Sequence, residues 1–238
     1  MATAPHDSPP DVPVEAVIFD VHSTLMDQGD PTRWLAVALA RLGRAPDPVA
    51  ELGPPEAARL AVALDQLWEG AREIDPSSSR DVAPADHRRV FDVLTQSQMG
   101  IAADLGGALY ETMLDTWQPF EDTVPTLVAL RDLGIRIAVL SNVGIDIRGM
   151  LERAGVMALV DVAVFSCEVG VVKPDPAIFA HAVEGLGVPA ERILMVGDHW
   201  ADDGAAAALG IRTLILPRTR GPRHGLGLVV AAASSHAY

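Results

Sequence analysis

Lysine, cysteine and aromatic side chains are all scarce in this chain. Of 18 lysine and arginine residues a single one, Lys173, is lysine. Cys167 is the only cysteine, which excludes an internal disulfide framework and fits a reducing, cytoplasmic setting. Aromatic residues make up 5% of the chain, and no apolar run approaches the length of a membrane span. The opening "MATAPHDSPPDVP" lacks the basic-then-apolar order of a signal peptide, so residues 1–13 read as a short disordered tail. Positive charge is in deficit, with a formal net charge of −14. That balance argues against a nucleic-acid or anionic-membrane partner, because a phosphate backbone selects basic patches. A small phosphorylated ligand needs only a local positive site and stays admissible.

What the chain does have is a core. Its 238 residues are 49% hydrophobic, enough for one large domain or one domain with an insert. A first strand is expected over Val14–Asp20. About ninety residues without a convincing strand follow. Asp30-Pro31 is a helix start, an N-cap before a proline at the first helical position. Trp34, Ala38, Leu39 and Leu42 then recur at helical spacing. Further helices are expected from Pro55, after Pro84, and through Leu105, Leu109 and Met113. From Phe120 the texture becomes a strict alternation of helix and strand. The strands are expected at Ile135–Leu140, Val162–Phe165, Ile193–Val196 and Thr213–Leu216, with a helix before each. The last of these helices is expected near Asp202–Leu209. Repeated units of this length predict an α/β fold, a Rossmann-like parallel sheet flanked by helices. Residues 14–25 and 119–238 would form that core, and residues 26–118 a helical insert.

Ligands of such sheets bind at the carboxyl ends of the strands. The first strand ends at Asp20, the second at Ser141-Asn142, and the fourth at Gly197-Asp198, with Asp202 and Asp203 in the same loop. Lys173 precedes the helix that leads into the fourth strand. Where arginine serves almost everywhere else, a retained lysine marks a position of interest. Asp20 is followed by His22 and Thr24 in "VIFDVHSTL", a carboxylate presented at a strand tip beside a proton-handling side chain.

The segments "FDVHSTL", "VLSN", "VVKPDP" and "VGDHWAD" occur in an order that resembles the haloacid dehalogenase (HAD) superfamily. The likeness covers residues 14–24 and 120–217, and the helical insert falls where that family places a cap. The resemblance implies a Mg²⁺-dependent hydrolase that acts on a small phosphorylated metabolite. Asp20 would be the nucleophile and form an aspartyl-phosphate. Mg²⁺ would be held by Asp20, Asp198 and the backbone carbonyl of His22, with Asp202 binding through water. Asp203 fits a longer spacing of the same motif, but the alignment favours Asp202. Ser141, Asn142 and Thr24 would bind substrate or phosphate, and Lys173 would neutralise both Asp20 and the phosphate.

The chain departs from the phosphatase pattern at one position. HAD phosphatases usually carry aspartate two residues after the nucleophile, where this chain has His22. The glycine common at the next position is Ser23. Histidine can serve as acid and base there, with its ordinary pKa of about 6.5. Two alternatives remain: a metal-independent dehalogenase, and a slow or inactive phosphate-binding protein. HAD dehalogenases resemble "FDxYGTL" and have lost the first acid of the last motif, which "GDHWAD" keeps. The insert contains no lysine, so the Schiff-base chemistry of phosphonate-cleaving relatives is set aside.

Overall fold

The computed structural model describes residues 12–234. The expected tail lies almost wholly outside these; of it only residues 12 and 13 are described, and they have no regular structure. Five parallel strands form the central sheet: β1 (Ala16–Phe19), β4 (Arg136–Ser141), β5 (Val162–Phe165), β6 (Ile193–Gly197) and β7 (Arg212–Ile215), in spatial order β5-β4-β1-β6-β7. Every residue of β1 is buried, as expected of a central strand covered on both faces. β1 pairs with β4 on one side, Phe19 opposite Val139, and with β6 on the other, Phe19 opposite Val196. This shared register brings the ends of three strands to one level.

Two layers of side chains cover the sheet. Phe19, Ile137, Val139 and Val196 pack on one side with Leu127 and Leu130 of α7 (Thr123–Asp132) and Leu151 of α8 (Arg148–Arg153). Ile18, Leu140 and Met195 pack on the other with Ile178, Phe179 and Ala182 of α10 (Pro176–Leu186). The Asp-Pro signal recurs at three helix starts. Asp30, Asp47 and Asp175 each accept a hydrogen bond from the amide two residues on, with proline at the next position.

Residues 31–112 carry six α-helices: α1 (Pro31–Arg41), α2 (Pro48–Leu52), α3 (Pro54–Asp65), α4 (Ala71–Ile74), α5 (Pro84–Asp92) and α6 (Ala103–Thr112). They bury a hydrophobic cluster of their own, with Leu35, Leu39, Leu64, Leu94 and Leu109. Trp34 Nε1 donates to Leu109 O at 3.0 Å and ties α1 to α6.

The structure adds elements that periodicity did not reveal. A two-residue ribbon of β2 (Met26–Asp27) and β3 (Gln118–Pro119) closes the base of the insert, too short to leave any alternation. Helices α2, α4 and α9 (Ser166–Val169) are only one turn or so long. Helix α11 (Gly227–Ser234) has an almost uniformly apolar sequence with no periodic polar face. Asp122 anchors the approach to α11 by accepting from the amides of His224, Gly225 and Leu226. The expected helix near Asp202–Leu209 is a 3₁₀ helix, Gly204–Leu209, and the first strand is shorter than expected.

The insert touches the core through backbone. A Cβ placed on Gly144 would lie 1.8 Å from the carbonyl oxygen of Arg80, and Ser166 Oγ donates to Asp81 O at 2.5 Å. Gly144→Ala must therefore push the insert away. It is expected to lower stability by about 1–3 kcal/mol in chemical denaturation, the usual effect of overpacking. A variant as stable as the parent would show that this contact is not maintained in solution.

Candidate active site

The strand ends meet at a cavity of about 470 Å³ between the sheet and the helical insert. Asp20 extends the pairing of β1 by one residue, its amide donating to Val196 O at 2.9 Å, and its carboxylate is buried. Lys173 Nζ donates to Asp20 Oδ1 at 2.6 Å and to Asp203 Oδ1 at 2.7 Å. The lysine is 5% exposed. Burial opposes its charge, but Asp20 and Asp203 outweigh burial and raise its pKa. Asn142 grips the lysine backbone from both sides: its Nδ2 donates to Lys173 O at 2.9 Å, and Lys173 N donates to its Oδ1 at 2.7 Å. The Asn142 side chain thus positions Lys173, and Asn142 also lines the cavity, as expected.

Asp20, Asp198 and Asp203 each offer one carboxylate oxygen, all within 4.8 Å of one another. Burial, followed by the charges of Asp203 and Asp198, pushes the Asp20 pKa up to about 7 against the pull of Lys173. Burial and Asp203 likewise raise Asp198 to about 6. Crowded buried carboxylates with one ammonium among them are short of positive charge. Hard oxygen donors of this kind suit a divalent cation such as Mg²⁺, so the residues fit the metal implied by the sequence.

Asp202 and Asp203 both line the cavity but are placed differently. Asp203, 1% exposed, belongs to the buried cluster. Asp202 points to the insert, where it pairs with Arg72 and lies 3.1 Å from His199 Nδ1. The turn after β6 explains the choice. Asp203 Oδ2 accepts from His199 N at 3.0 Å and folds back over Gly197, where a Cβ would lie 2.1 Å from that oxygen. Besides the longer motif spacing, Gly197 is a sequence signal that favours Asp203, because no side chain fits beneath its carboxylate.

Thr24 also differs from expectation. It is fully buried beneath the loop, its Oγ1 makes no hydrogen bond among the described residues, and it does not line the cavity. Ser23 does line it, at a φ of 61°, a left-handed backbone that favours the glycine usual at this position. Ser141 ends β4 and lines the cavity as expected.

His22 stands against Trp117, with ring centroids 4.8 Å apart. Its Nε2 is buried without a hydrogen bond to any described residue. Burial, and then the charge of Arg218, push its pKa down to about 4 against the opposing pull of the Gln28 side chain. The imidazole of the free site is therefore neutral near pH 7. Sequence reasoning missed the far wall of the cavity, which Trp68, Arg72, Arg80, Asp81, Trp117 and Arg218 complete. No periodic or motif signal ties these residues to the strand ends.

A buried carboxylate, a lysine paired to it and an acidic cluster suited to a cation lie together at the ends of parallel strands. The chain belongs to the haloacid dehalogenase-like hydrolases, whose sequence profile matches residues 14–210. It is 31% identical over 197 residues to a glyceraldehyde 3-phosphate phosphatase of Methanothermobacter thermautotrophicus, covering 80% of this chain and 79% of that one. It is 36% identical over 115 residues to the haloacid dehalogenase-like hydrolase domain-containing protein 3 of Danio rerio, and there the match spans about half of each chain, 48%. Among solved structures, a 2-haloacid dehalogenase of Pseudomonas syringae pv. tomato DC3000 superposes with a TM-score of 0.60 at 27% identity, covering 93% of this chain and 99% of that one. Phosphatases and dehalogenases thus both stand among its relatives.

Two outcomes follow from the carboxylate cluster. Asp20 is raised from its ordinary 3.8, so the folded state holds this proton more tightly than the unfolded chain does. That stabilisation is full below the ordinary value and is lost as pH climbs through about 7. Mg²⁺ competes with the proton, so its effect on Tm should be small near about pH 5 and largest near about pH 8. An equal shift at both would place the ion elsewhere. In addition, Asp203→Asn should weaken Mg²⁺ binding by about 10–100-fold in calorimetry, while Asp202→Asn should change it far less. The reverse ranking would restore Asp202 to the metal site.

Proposed function

We propose that the protein is a Mg²⁺-dependent phosphatase that hydrolyses a small phosphorylated metabolite through an aspartyl-phosphate on Asp20. The observation that carries this reading is the retained acidic cluster: Asp198 and Asp203 stand beside the nucleophile, where attack on a carbon–halogen bond needs no cation. The similarity to a glyceraldehyde 3-phosphate phosphatase supports it. Asp20, Asp198 and the backbone carbonyl of residue 22 would hold the ion, with Asp203 in the place first given to Asp202. Bound there, Mg²⁺ would neutralise the carboxylates and the phosphoryl oxygens.

An Asp20 carboxylate oxygen attacks phosphorus, and the bond from phosphorus to the leaving oxygen breaks. Lys173 favours the ionised form of Asp20 and offsets the charge that gathers on the phosphoryl group. Ser141 and the backbone amides beside it position that group. His22 Nε2 lacks a partner, and an arriving phosphate dianion favours the protonated imidazole that burial otherwise disfavours. His22 then gives its proton to the leaving oxygen. Neutral once more, it takes a proton from the water that attacks phosphorus and releases Asp20. The helical insert acts as a cap over the cavity and excludes bulk water. A single cysteine suits a cytoplasmic setting for such an enzyme.

Phosphate release from a panel of phosphate monoesters tests this reading. Asp20→Asn should abolish turnover, since an amide is not a competent nucleophile, and EDTA should stop the wild type. His22→Asn should lower kcat by about 10²–10⁴. Undiminished turnover in EDTA together with release of halide from a haloacid would replace this reading with the dehalogenase one.

A further inference from the structure

The cations of the cavity are not equally engaged. Lys173 lies between Asp20 and Asp203. Arg72 is paired with Asp202. Arg80 reaches Asp81 at 3.1 Å and Asp75 at 3.5 Å. Arg218, in the segment after β7, differs from all three. Its nearest acid is Asp65, at the end of α3, and the separation is 3.8 Å, beyond a hydrogen bond. The other oxygen of Asp65 is already hydrogen-bonded by Arg220. Two guanidinium groups thus share one carboxylate and leave one positive charge over. Of the pair, Arg218 is the one that lines the cavity.

That surplus charge is placed where a substrate would meet it. Arg218 shares the cavity with Asp20 and His22, and its side chain is 32% exposed, so its donors can be reached. The planar fork of arginine binds a carboxylate or a phosphate through two parallel hydrogen bonds. Such a bond discriminates well at a site otherwise rimmed by acids. Glu69 and Asp81 line the same cavity and repel an anion placed at random within it.

We infer that Arg218 determines specificity, binding a second anionic group carried by the leaving portion of the substrate. The inference rests on the phosphatase reading for its substrate class. A carboxylate and a second phosphate both satisfy this chemistry, which makes the preferred substrate a phosphorylated acid or a bisphosphate rather than a simple phosphorylated alcohol.

The test compares three ligands of one carbon skeleton: glycerol phosphate, phosphoglycerate and glycerol bisphosphate. Calorimetry on the Mg²⁺-loaded Asp20→Asn protein measures binding without turnover, with Arg218 intact, as Arg218→Met and as Arg218→Lys. At least one ligand with a second anion should bind about tenfold or more tightly than glycerol phosphate, which one of them identifying carboxylate or phosphate as the group recognised. Arg218→Met should remove most of that gap, and Arg218→Lys, which keeps the charge but loses the fork, should keep part of it. Equal affinities, a gap that survives Arg218→Met, or no binding of any of the three would overturn the inference. Phosphate release by the wild type is read separately. A gap that depends on Arg218 without any release would sink the phosphatase reading and leave the anion subsite standing.

Discussion

The site depends on one ammonium group set among three carboxylates. Asp20 and Asp198 follow the paired strands β1 and β6, and the turn after β6 brings Asp203 to them, so that one oxygen of each lies within 4.8 Å of the others. At such distances like charges repel by on the order of a few kcal/mol each, even at the effective dielectric of a protein site. Lys173 offsets part of this through its two short hydrogen bonds. Its position is fixed in turn by Asn142, which holds its backbone on both sides. An arginine fork is too broad and too rigid for a compact place between two acids, which accounts for a lone lysine in a chain that otherwise uses arginine.

Electrostatics also shape the boundary between sheet and insert. Arg72 of the insert pairs with Asp202 of the core, and Asp65 of the insert faces Arg218 and Arg220 of the core. Backbone contacts at Gly144 and Ser166 set how closely the two parts approach. The cavity they enclose brings together a nucleophile, a neutral imidazole and an unsatisfied guanidinium. The proposed reaction uses the first two, which share the loop after β1, and the third comes from the segment after β7.

The sheet was legible in the sequence because its strands are short apolar runs bounded by helices of the right length, as Val162–Phe165 and Ile193–Val196 were. Asp20, Ser141, Asn142, Lys173 and Asp198 could be picked out because each sits just past a strand or within a short motif. The choice between Asp202 and Asp203 was not legible from spacing, since adjacent residues of a turn differ only in the direction the backbone gives them. Gly197 held that information, but as the absence of a side chain. The lowered pKa of His22 arises from Trp117 packing and from Arg218, residues far away in sequence. Arg218 itself lies outside every motif, and its surplus charge exists only because Arg220 and Asp65 meet in three dimensions.

The central claim is that Asp20 attacks phosphorus, and mass spectrometry of the Asp20 peptide tests it most directly. The protein is turned over with Mg²⁺ and a phosphate monoester in heavy-oxygen water and quenched in acid. A phosphatase regenerates its nucleophile by attack of water on phosphorus. The account therefore predicts a phosphoryl adduct on Asp20, heavy oxygen in the released phosphate and none in the Asp20 carboxylate. A dehalogenase is regenerated by attack of water on the carboxyl carbon. Heavy oxygen in the Asp20 carboxylate after turnover of a haloacid, with no phosphoryl adduct formed from any monoester, would contradict the account.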